Sequence, residues 1–102
     1  MNGMTSDTCW FVYIIETVDG FYYTGITTDP LRRYREHRSG GSKASRYLRA
    51  HVPRRLVFYQ KIGSRSLALK VEYHLKQASR TEKRNIITSG TLLFHPSSGR
   101  LR

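Results

Sequence analysis

Two short runs of aromatic and β-branched residues, separated by a glycine turn, constrain the fold of this chain more than any other feature. Residues 10–15 (WFVYII) form the first run and residues 21–27 (FYYTGIT) form the second, with Asp19-Gly20 between them. Such residues favour strands, and an Asp-Gly pair between two strand-like runs predicts a hairpin. Because the first run lacks polar alternation, we expect it to be a central strand covered on both faces.

The length of the hairpin loop decides which side chains share a face of the sheet. A two-residue loop would place Tyr13 and Tyr23 on opposite faces. A three-residue loop over residues 18–20, with Gly20 at positive φ in a G1 bulge, instead pairs Tyr13 with Gly25 and brings both tyrosines to one face. Their Cα atoms would then be about 7 to 8 Å apart. We predict the three-residue loop.

The rest of the chain alternates helix signals with one more strand. Asp29 is suited to cap a helix that has Pro30 at its first position and ends at glycines 40–41. Leu31 and Tyr34 predict its packing stripe. The remaining predicted elements are a short helix or ordered basic loop at 42–50, a strand at 56–62, a helix at 65–79 with Leu67, Val71, Leu75 and Ala78 buried, and a short helix at 81–87.

Charge and cysteine content narrow the function classes. Lysine and arginine number 18 against seven acidic residues, which gives a formal charge of +11 and favours a nucleic-acid partner. An anionic membrane partner would require an amphipathic basic helix or a lipidation signal, and the sequence has neither in convincing form. With one cysteine, no secretory signal and no apolar run long enough to span a bilayer, we expect a single cytoplasmic domain.

Several polar residues are candidates for chemistry, and each also has a simpler interpretation. Arg33 and His37 lie one turn apart on a helix flank, where two basic residues commonly form a solvated face. Tyrosines in strands commonly only pack. Glu72 is the only acid between residues 37 and 81. It could bind a divalent cation that bridges it to a phosphate, or form an ion pair with Lys76 at i+4.

Three basic residues repeat at every third position, and we expect them to form a phosphate-facing surface: Lys43, Arg46 and Arg49. The remaining histidines, His51, His74 and His95, show no metal-ligand spacing with one another or with Cys9, so they receive no predicted role.

Taken in order, these spacings resemble the GIY-YIG nuclease superfamily. The tripeptides FVY at 11–13 and YTG at 23–25 place their tyrosines ten residues apart, Arg33 follows after another ten, and then come His37 and a helical Glu72. The stretches YTGITTD, RRYREH and RSLALKVEYHLKQ are similar, more narrowly, to the small single-domain bacterial YhbQ-like group. The resemblance implies an α+β fold (an α/β sandwich) with a three-stranded antiparallel sheet flanked by helices.

This fold would occupy residues 10–87, between a flexible N-terminus at 1–9 and a basic, flexible C-terminal tail at 88–102. The resemblance also implies hydrolysis of phosphodiester bonds with one divalent cation, Mg²⁺ or Mn²⁺, and no other cofactor. DNA is a stronger expectation than RNA as the nucleic-acid partner, in branched, nicked or damaged forms that would connect the protein to repair or recombination. A basic module of the same fold that binds DNA or RNA without cutting is the alternative.

The resemblance assigns a role to each matching position. Tyr13 and Tyr23 position or deprotonate the attacking water, Arg33 clamps the scissile phosphate, His37 occupies a helix position where members carry His or Tyr, Glu72 is the metal ligand, Gly25 lets the backbone turn closely beside the site, and Asn85 corresponds to a late asparagine.

Overall fold

The computed structural model describes residues 8–102, so the prediction for residues 1–7 of the N-terminal segment lies outside it. In this range the elements are β1 Trp10–Thr17, β2 Tyr22–Thr27, α1 Pro30–Ser39, α2 Arg46–Ala50, β3 Pro53–Gly63, α3 Arg65–Gln77 and α4 Arg80–Ser89. The strands form one antiparallel sheet in the order β2-β1-β3. The predicted fold class, α+β with a three-stranded antiparallel sheet and flanking helices, is confirmed. No helix within the described range is long and apolar enough to cross a membrane.

The hairpin has the predicted odd-length loop. Gly20 has a φ of 87°, and the backbone N–H of Thr17 donates to the carbonyl of Phe21 at 2.9 Å. Tyr13 therefore lies opposite Gly25 in the register of β1 and β2. Because side chains alternate along a strand, Tyr13 and Tyr23 share one face of the sheet, as predicted.

The central strand β1 divides the interior into two groups of side chains. Val12 and Ile14 face an aliphatic core formed with Phe58, Val71, Leu75 and Leu92, which we call the aliphatic face. The alternating residues Tyr13 and Ile15 face Leu48 of α2, and we call this side the tyrosine face. Helix α3 covers the aliphatic face, and α1 and α2 lie over the tyrosine face.

Helix α1 begins and ends as its sequence predicts, but it buries a different side. The Asp29 carboxylate accepts the Arg32 backbone N–H at 3.1 Å, and Gly40 ends the helix with a φ of 70°. Leu31, expected in the packing stripe, is 53% exposed, whereas His37 is only 1% exposed. The tyrosine face offers polar partners for an imidazole, and this explains why the helix turns His37 inward.

The other elements lie close to their predicted positions. Residues 42–50 contain the short helix α2, capped by Ser45, rather than only a loop. In α3, Val71 and Leu75 are fully buried as expected, and Ala68 joins them. Strand β3 and helix α4 extend beyond the predicted bounds 56–62 and 81–87.

The segment that follows α4 differs from the flexible tail expected for residues 88–102. Leu92 is buried, and its backbone N–H and carbonyl pair with the Gln60 side-chain amide at 2.8 and 2.9 Å. Phe94 and Leu101 form an antiparallel bridge, and Gly99 lies against α3. The apolar residues in this Ser/Gly-containing segment anchor it to the aliphatic face.

Candidate functional site

Tyr13 and Tyr23 form the centre of the site on the tyrosine face. Their ring centroids are 6.3 Å apart, and the ring planes are inclined by 41°. The Tyr13 ring extends across β2, directly over Gly25, where an added Cβ would overlap its hydroxyl. The φ of Gly25 is not in the left-handed region, so its backbone conformation does not require glycine. Glycine is needed here because any side chain would occupy the space of the Tyr13 ring.

His37 of α1 is hydrogen-bonded through both ring nitrogens. Its Nδ1 accepts the Ser45 backbone N–H at 3.1 Å, and its Nε2 lies 2.9 Å from the Tyr13 hydroxyl oxygen. Burial, reinforced by the positive charge of Arg33, lowers the pKa of His37 to about 4. A neutral imidazole whose Nδ1 accepts must carry its proton on Nε2, so we assign His37 as the donor to Tyr13.

Burial holds Tyr13 in its protonated form near neutral pH. The pKa of Tyr13 is raised well above its ordinary value of 10, first by desolvation and then by the neighbouring Tyr23 hydroxyl and by Glu72, while Arg33 acts in the opposite direction. A phenol in this environment can orient water by hydrogen bonding. It can act as a base only when additional positive charge approaches it.

Arg33 is held in place by two acceptors on the same guanidinium nitrogen. Its Nη1 donates to the Glu36 carboxylate at 2.9 Å and to the backbone carbonyl of Lys43 at 2.7 Å. A hydrogen bond between Arg33 and the Tyr13 hydroxyl also contributes to the pKa shifts of both residues, so the guanidinium is oriented toward the two tyrosines, where an oxyanion could bind it. Sequence reasoning missed Glu36, although its i+3 spacing from Arg33 signals such a pair.

Glu72 lies on α3, next to the buried Val71, with its side chain 18% exposed. The ion pair offered as its simpler explanation is present, since Lys76 Nζ lies 3.5 Å from the carboxylate. The Glu72 charge also contributes to the raised pKa of Tyr13, so the carboxylate lies within electrostatic range of that hydroxyl.

The donor set at Glu72 suits a cation that takes most of its ligands from substrate and water. No group of three or more His, Cys, Asp or Glu residues in the described part of the chain could hold a metal on its own. Mg²⁺ commonly binds through one or two carboxylates together with phosphate oxygens and water. The residues present therefore fit Mg²⁺ or Mn²⁺ better than a cation that requires an all-protein site.

The remaining predicted residues lie outside this cluster. The exposed Asn85 of α4 lines a cavity formed by α4 and the C-terminal segment, away from the tyrosines. Lys43, Arg46 and Arg49 are exposed on α2 and the loop before it. His51, which had no predicted role, contacts Asp19 and stacks on Tyr47, and the i,i+4 spacing of these two rings could have signalled the contact.

A model of the GIY-YIG catalytic domain matches residues 9–85 of this chain. A UPF0213 protein from Aeromonas hydrophila subsp. hydrophila is 48% identical over 79 residues, which cover 78% of this chain and 57% of that protein, less than two thirds of its length. The UPF0213 protein YhbQ of Salmonella typhimurium is 44% identical over 81 residues, which cover 79% of each chain.

A solved structure is also similar. The solution NMR structure of a UPF0213 protein from Bacillus halodurans has 40% sequence identity and a TM-score of 0.50, covering 79% of this chain and 84% of that one. The family model spans most of the chain, and the relatives retain more than 40% identity. The chain therefore belongs to the GIY-YIG nuclease family, as a small YhbQ-like member.

Proposed function

We propose that this domain hydrolyses phosphodiester bonds in DNA with the help of a divalent cation, Mg²⁺ or Mn²⁺, bound at Glu72. The observation that carries the proposal is the convergence of Tyr13, Tyr23, His37 and Arg33 on one face, with the Glu72 carboxylate in electrostatic range. Branched, nicked or damaged DNA is the substrate we expect, in repair or recombination.

Each side chain has a distinct part in this proposal. The Arg33 guanidinium binds non-bridging oxygens of the phosphate and offsets the negative charge that develops there. Tyr13 and Tyr23 orient the attacking water. Because His37 donates its Nε2 proton to Tyr13, it stabilises a Tyr13 phenolate rather than accepting the phenol proton. A cation bound at Glu72 supplies charge neutralisation that makes loss of this proton less costly.

A basic binding module that does not cut nucleic acid is the second candidate. Two observations favour it: the pKa of Tyr13 is raised, and Glu72 already has Lys76 as a partner. Salt would weaken DNA binding under either proposal, so affinity alone does not separate them. Cleavage does.

The test is incubation with Mg²⁺ or Mn²⁺ and a set of branched, nicked and single-stranded DNAs, with matching RNAs for comparison. We expect cleavage of DNA that Glu72→Gln and Tyr13→Phe abolish. Glu16→Gln is the matched control, because Glu16 is also mostly buried (20% exposed) and paired with a basic residue, Arg55, at 3.2 Å.

Two outcomes would contradict the proposal. Full activity of Glu72→Gln would exclude the assigned cation site. Absence of cleavage with every DNA, RNA and cation would favour the binding module.

A further inference from the structure

A series of aromatic rings extends from Tyr23 to the surface beside α2. The Tyr23 and Tyr47 rings are stacked with centroids 5.8 Å apart, and Tyr47 stacks on His51 at 4.4 Å with ring planes inclined by 28°. Phe21 meets the His51 ring edge-on at 5.1 Å. We call these four residues the aromatic ladder. It begins at one of the two tyrosines of the candidate site and leads away from it.

The outer rings of the ladder are exposed, although the core does not need them there. Tyr47 is 38% exposed and Phe21 is 48% exposed, whereas Leu48 between the α2 rings is fully buried against Tyr13 and Ile15. Leu48 therefore anchors α2 to the fold. Adjacent exposed aromatic rings beside a polar site are typical of a binding surface.

The ladder is held in one arrangement before any ligand binds. The His51 Nδ1–H donates to the Asp19 carboxylate at 2.7 Å, and the buried Thr17 hydroxyl donates to the same carboxylate at 2.6 Å. These bonds, first that from Thr17 and then that from His51, lower the pKa of Asp19 and keep it ionised. The hairpin turn thus fixes the orientation of the His51 ring, which reduces the entropy lost when a ligand stacks on the ladder.

The charge around the ladder indicates an anionic partner. Arg46 and Arg49 on α2 and Arg54 at the start of β3 are all exposed. Asp19 is the acidic residue of the adjoining turn, and its carboxylate is already engaged by His51 and Thr17. An aromatic surface bordered by arginines matches the two parts of a nucleotide, a flat base and a charged phosphate.

We propose that the aromatic ladder is a base-stacking platform, on which an unstacked nucleobase of the DNA strand packs against the exposed outer side of the ladder at Tyr47 and His51, while a neighbouring phosphate lies at Arg33. This inference rests on the proposed function, because it extends the same substrate-binding face. It assigns Tyr47 and His51 the task of positioning the strand relative to Tyr23. Stacking on aromatic side chains is tolerant of base identity, so the platform would select for an accessible base rather than for a sequence.

The test compares two single-stranded DNA oligonucleotides with the same number of phosphates, one intact and one with consecutive bases replaced by abasic residues. Fluorescence anisotropy without divalent cations gives both dissociation constants and avoids cleavage. We expect the unaltered protein to bind the intact oligonucleotide about 10-fold more tightly. Tyr47→Leu should abolish this preference, and Tyr47→Phe should retain it, because only the phenylalanine restores an aromatic face.

The matched control is Tyr73→Leu. Tyr73 is another exposed tyrosine with a histidine ring beside it, His74 at 5.1 Å, but it lies on α3, which covers the aliphatic face. This variant should retain the full preference for the intact oligonucleotide. Thermal unfolding of each variant identifies any loss of affinity that reflects misfolding. If Tyr47→Leu does not fold, His51→Leu takes its place and should likewise abolish the preference, and a preference lost in Tyr47→Phe would overturn the platform.

The results separate this inference from the proposed hydrolysis. Equal affinity of the unaltered protein for both oligonucleotides, or an unchanged preference in Tyr47→Leu, would overturn the platform and leave the ladder as a surface for a protein partner. A base-dependent affinity that Tyr47→Leu removes, in a protein that cleaves nothing, would support the platform and contradict the hydrolysis.

Discussion

The two faces of strand β1 differ in chemistry although they are built from alternate residues of the same segment. The aliphatic face packs Val12 and Ile14 against Val71 and Leu75 of α3, all of which have purely hydrocarbon side chains. The tyrosine face buries Tyr13 and His37, which must satisfy each other's hydrogen bonds. The comparison indicates that stability comes mainly from one face, and that the polar groups used by the proposed hydrolysis are concentrated on the other.

The largest effect on stability should come from the aliphatic face. Leu75→Ala removes a fully buried side chain and leaves a cavity, so we expect it to lower the free energy of unfolding by about 2 to 5 kcal/mol. Leu93→Ala is the control, because Leu93 is largely exposed and its loss should change stability by less than about 0.5 kcal/mol. Urea denaturation measures both. A Leu75→Ala variant as stable as the control would mean that the aliphatic face is not the main source of stability.

On the tyrosine face, the buried His37 should make stability depend on pH. Its pKa is lowered to about 4 in the folded protein, against about 6.5 when unfolded. As pH falls through this window the unfolded chain binds a proton that the folded chain does not, so stability falls, by roughly 3 kcal/mol in total.

His37→Gln should remove this pH dependence, since glutamine does not titrate and can still donate and accept hydrogen bonds. His95→Gln, at an exposed histidine, should leave it unchanged. Denaturant unfolding between pH 7 and pH 4 checks both variants. If His37→Gln loses as much stability between pH 7 and pH 4 as the unaltered chain, groups other than His37 cause the pH dependence.

Gly25→Ala tests how tightly the tyrosine face is packed. The new methyl group would overlap the Tyr13 hydroxyl and ring, so we expect a cost of about 1 to 3 kcal/mol and reduced cleavage. Gly41→Ala is the control. The atom nearest to its new Cβ would be the Ser39 Oγ at 3.5 Å, an ordinary contact, so we expect little change in stability. Thermal unfolding compares the two variants. Equal stability would show that Tyr13 can move aside without cost.

One polar group interrupts the aliphatic face, and its removal should be stabilising. Thr24 lies opposite Ile14, and its buried hydroxyl is without a hydrogen-bond partner among residues 8–102. We expect Thr24→Val, which keeps the shape and removes the hydroxyl, to raise the free energy of unfolding by about 1 kcal/mol. Thr27→Val is the contrast, because the Thr27 hydroxyl accepts the Asp29 N–H at 3.1 Å and its loss should destabilise the chain. Urea denaturation measures both variants. If Thr24→Val lost as much stability as Thr27→Val, the Thr24 hydroxyl would have a hydrogen-bond partner after all.

The sequence predicted the aliphatic face and the hairpin well, because both depend on local patterns. Loop length and Gly20 determine the register of β1 and β2, and helical spacing identifies Val71 and Leu75. The burial of His37 could not be predicted in this way. It depends on a hydrogen bond to Tyr13, 24 residues earlier, and on the Ser45 backbone, which comes into place only when α2 packs. Local periodicity instead predicted that Leu31 would be on the buried side of α1.

The smallest effect on stability should come from Glu36, which holds Arg33 on the tyrosine face. Glu36→Gln removes a partly exposed ion pair that solvent screens, so we expect the free energy of unfolding to change little. Cleavage should fall more clearly, by roughly 3- to 10-fold, because the guanidinium loses one of the two acceptors that orient it toward the phosphate. Steady-state kinetics of Glu36→Gln and of the control Glu16→Gln, which also removes one carboxylate, separates this positioning role from a general loss of negative charge. If Glu36→Gln cleaves as fast as Glu16→Gln, the Lys43 carbonyl alone is sufficient to orient Arg33, and the ion pair is only a surface contact.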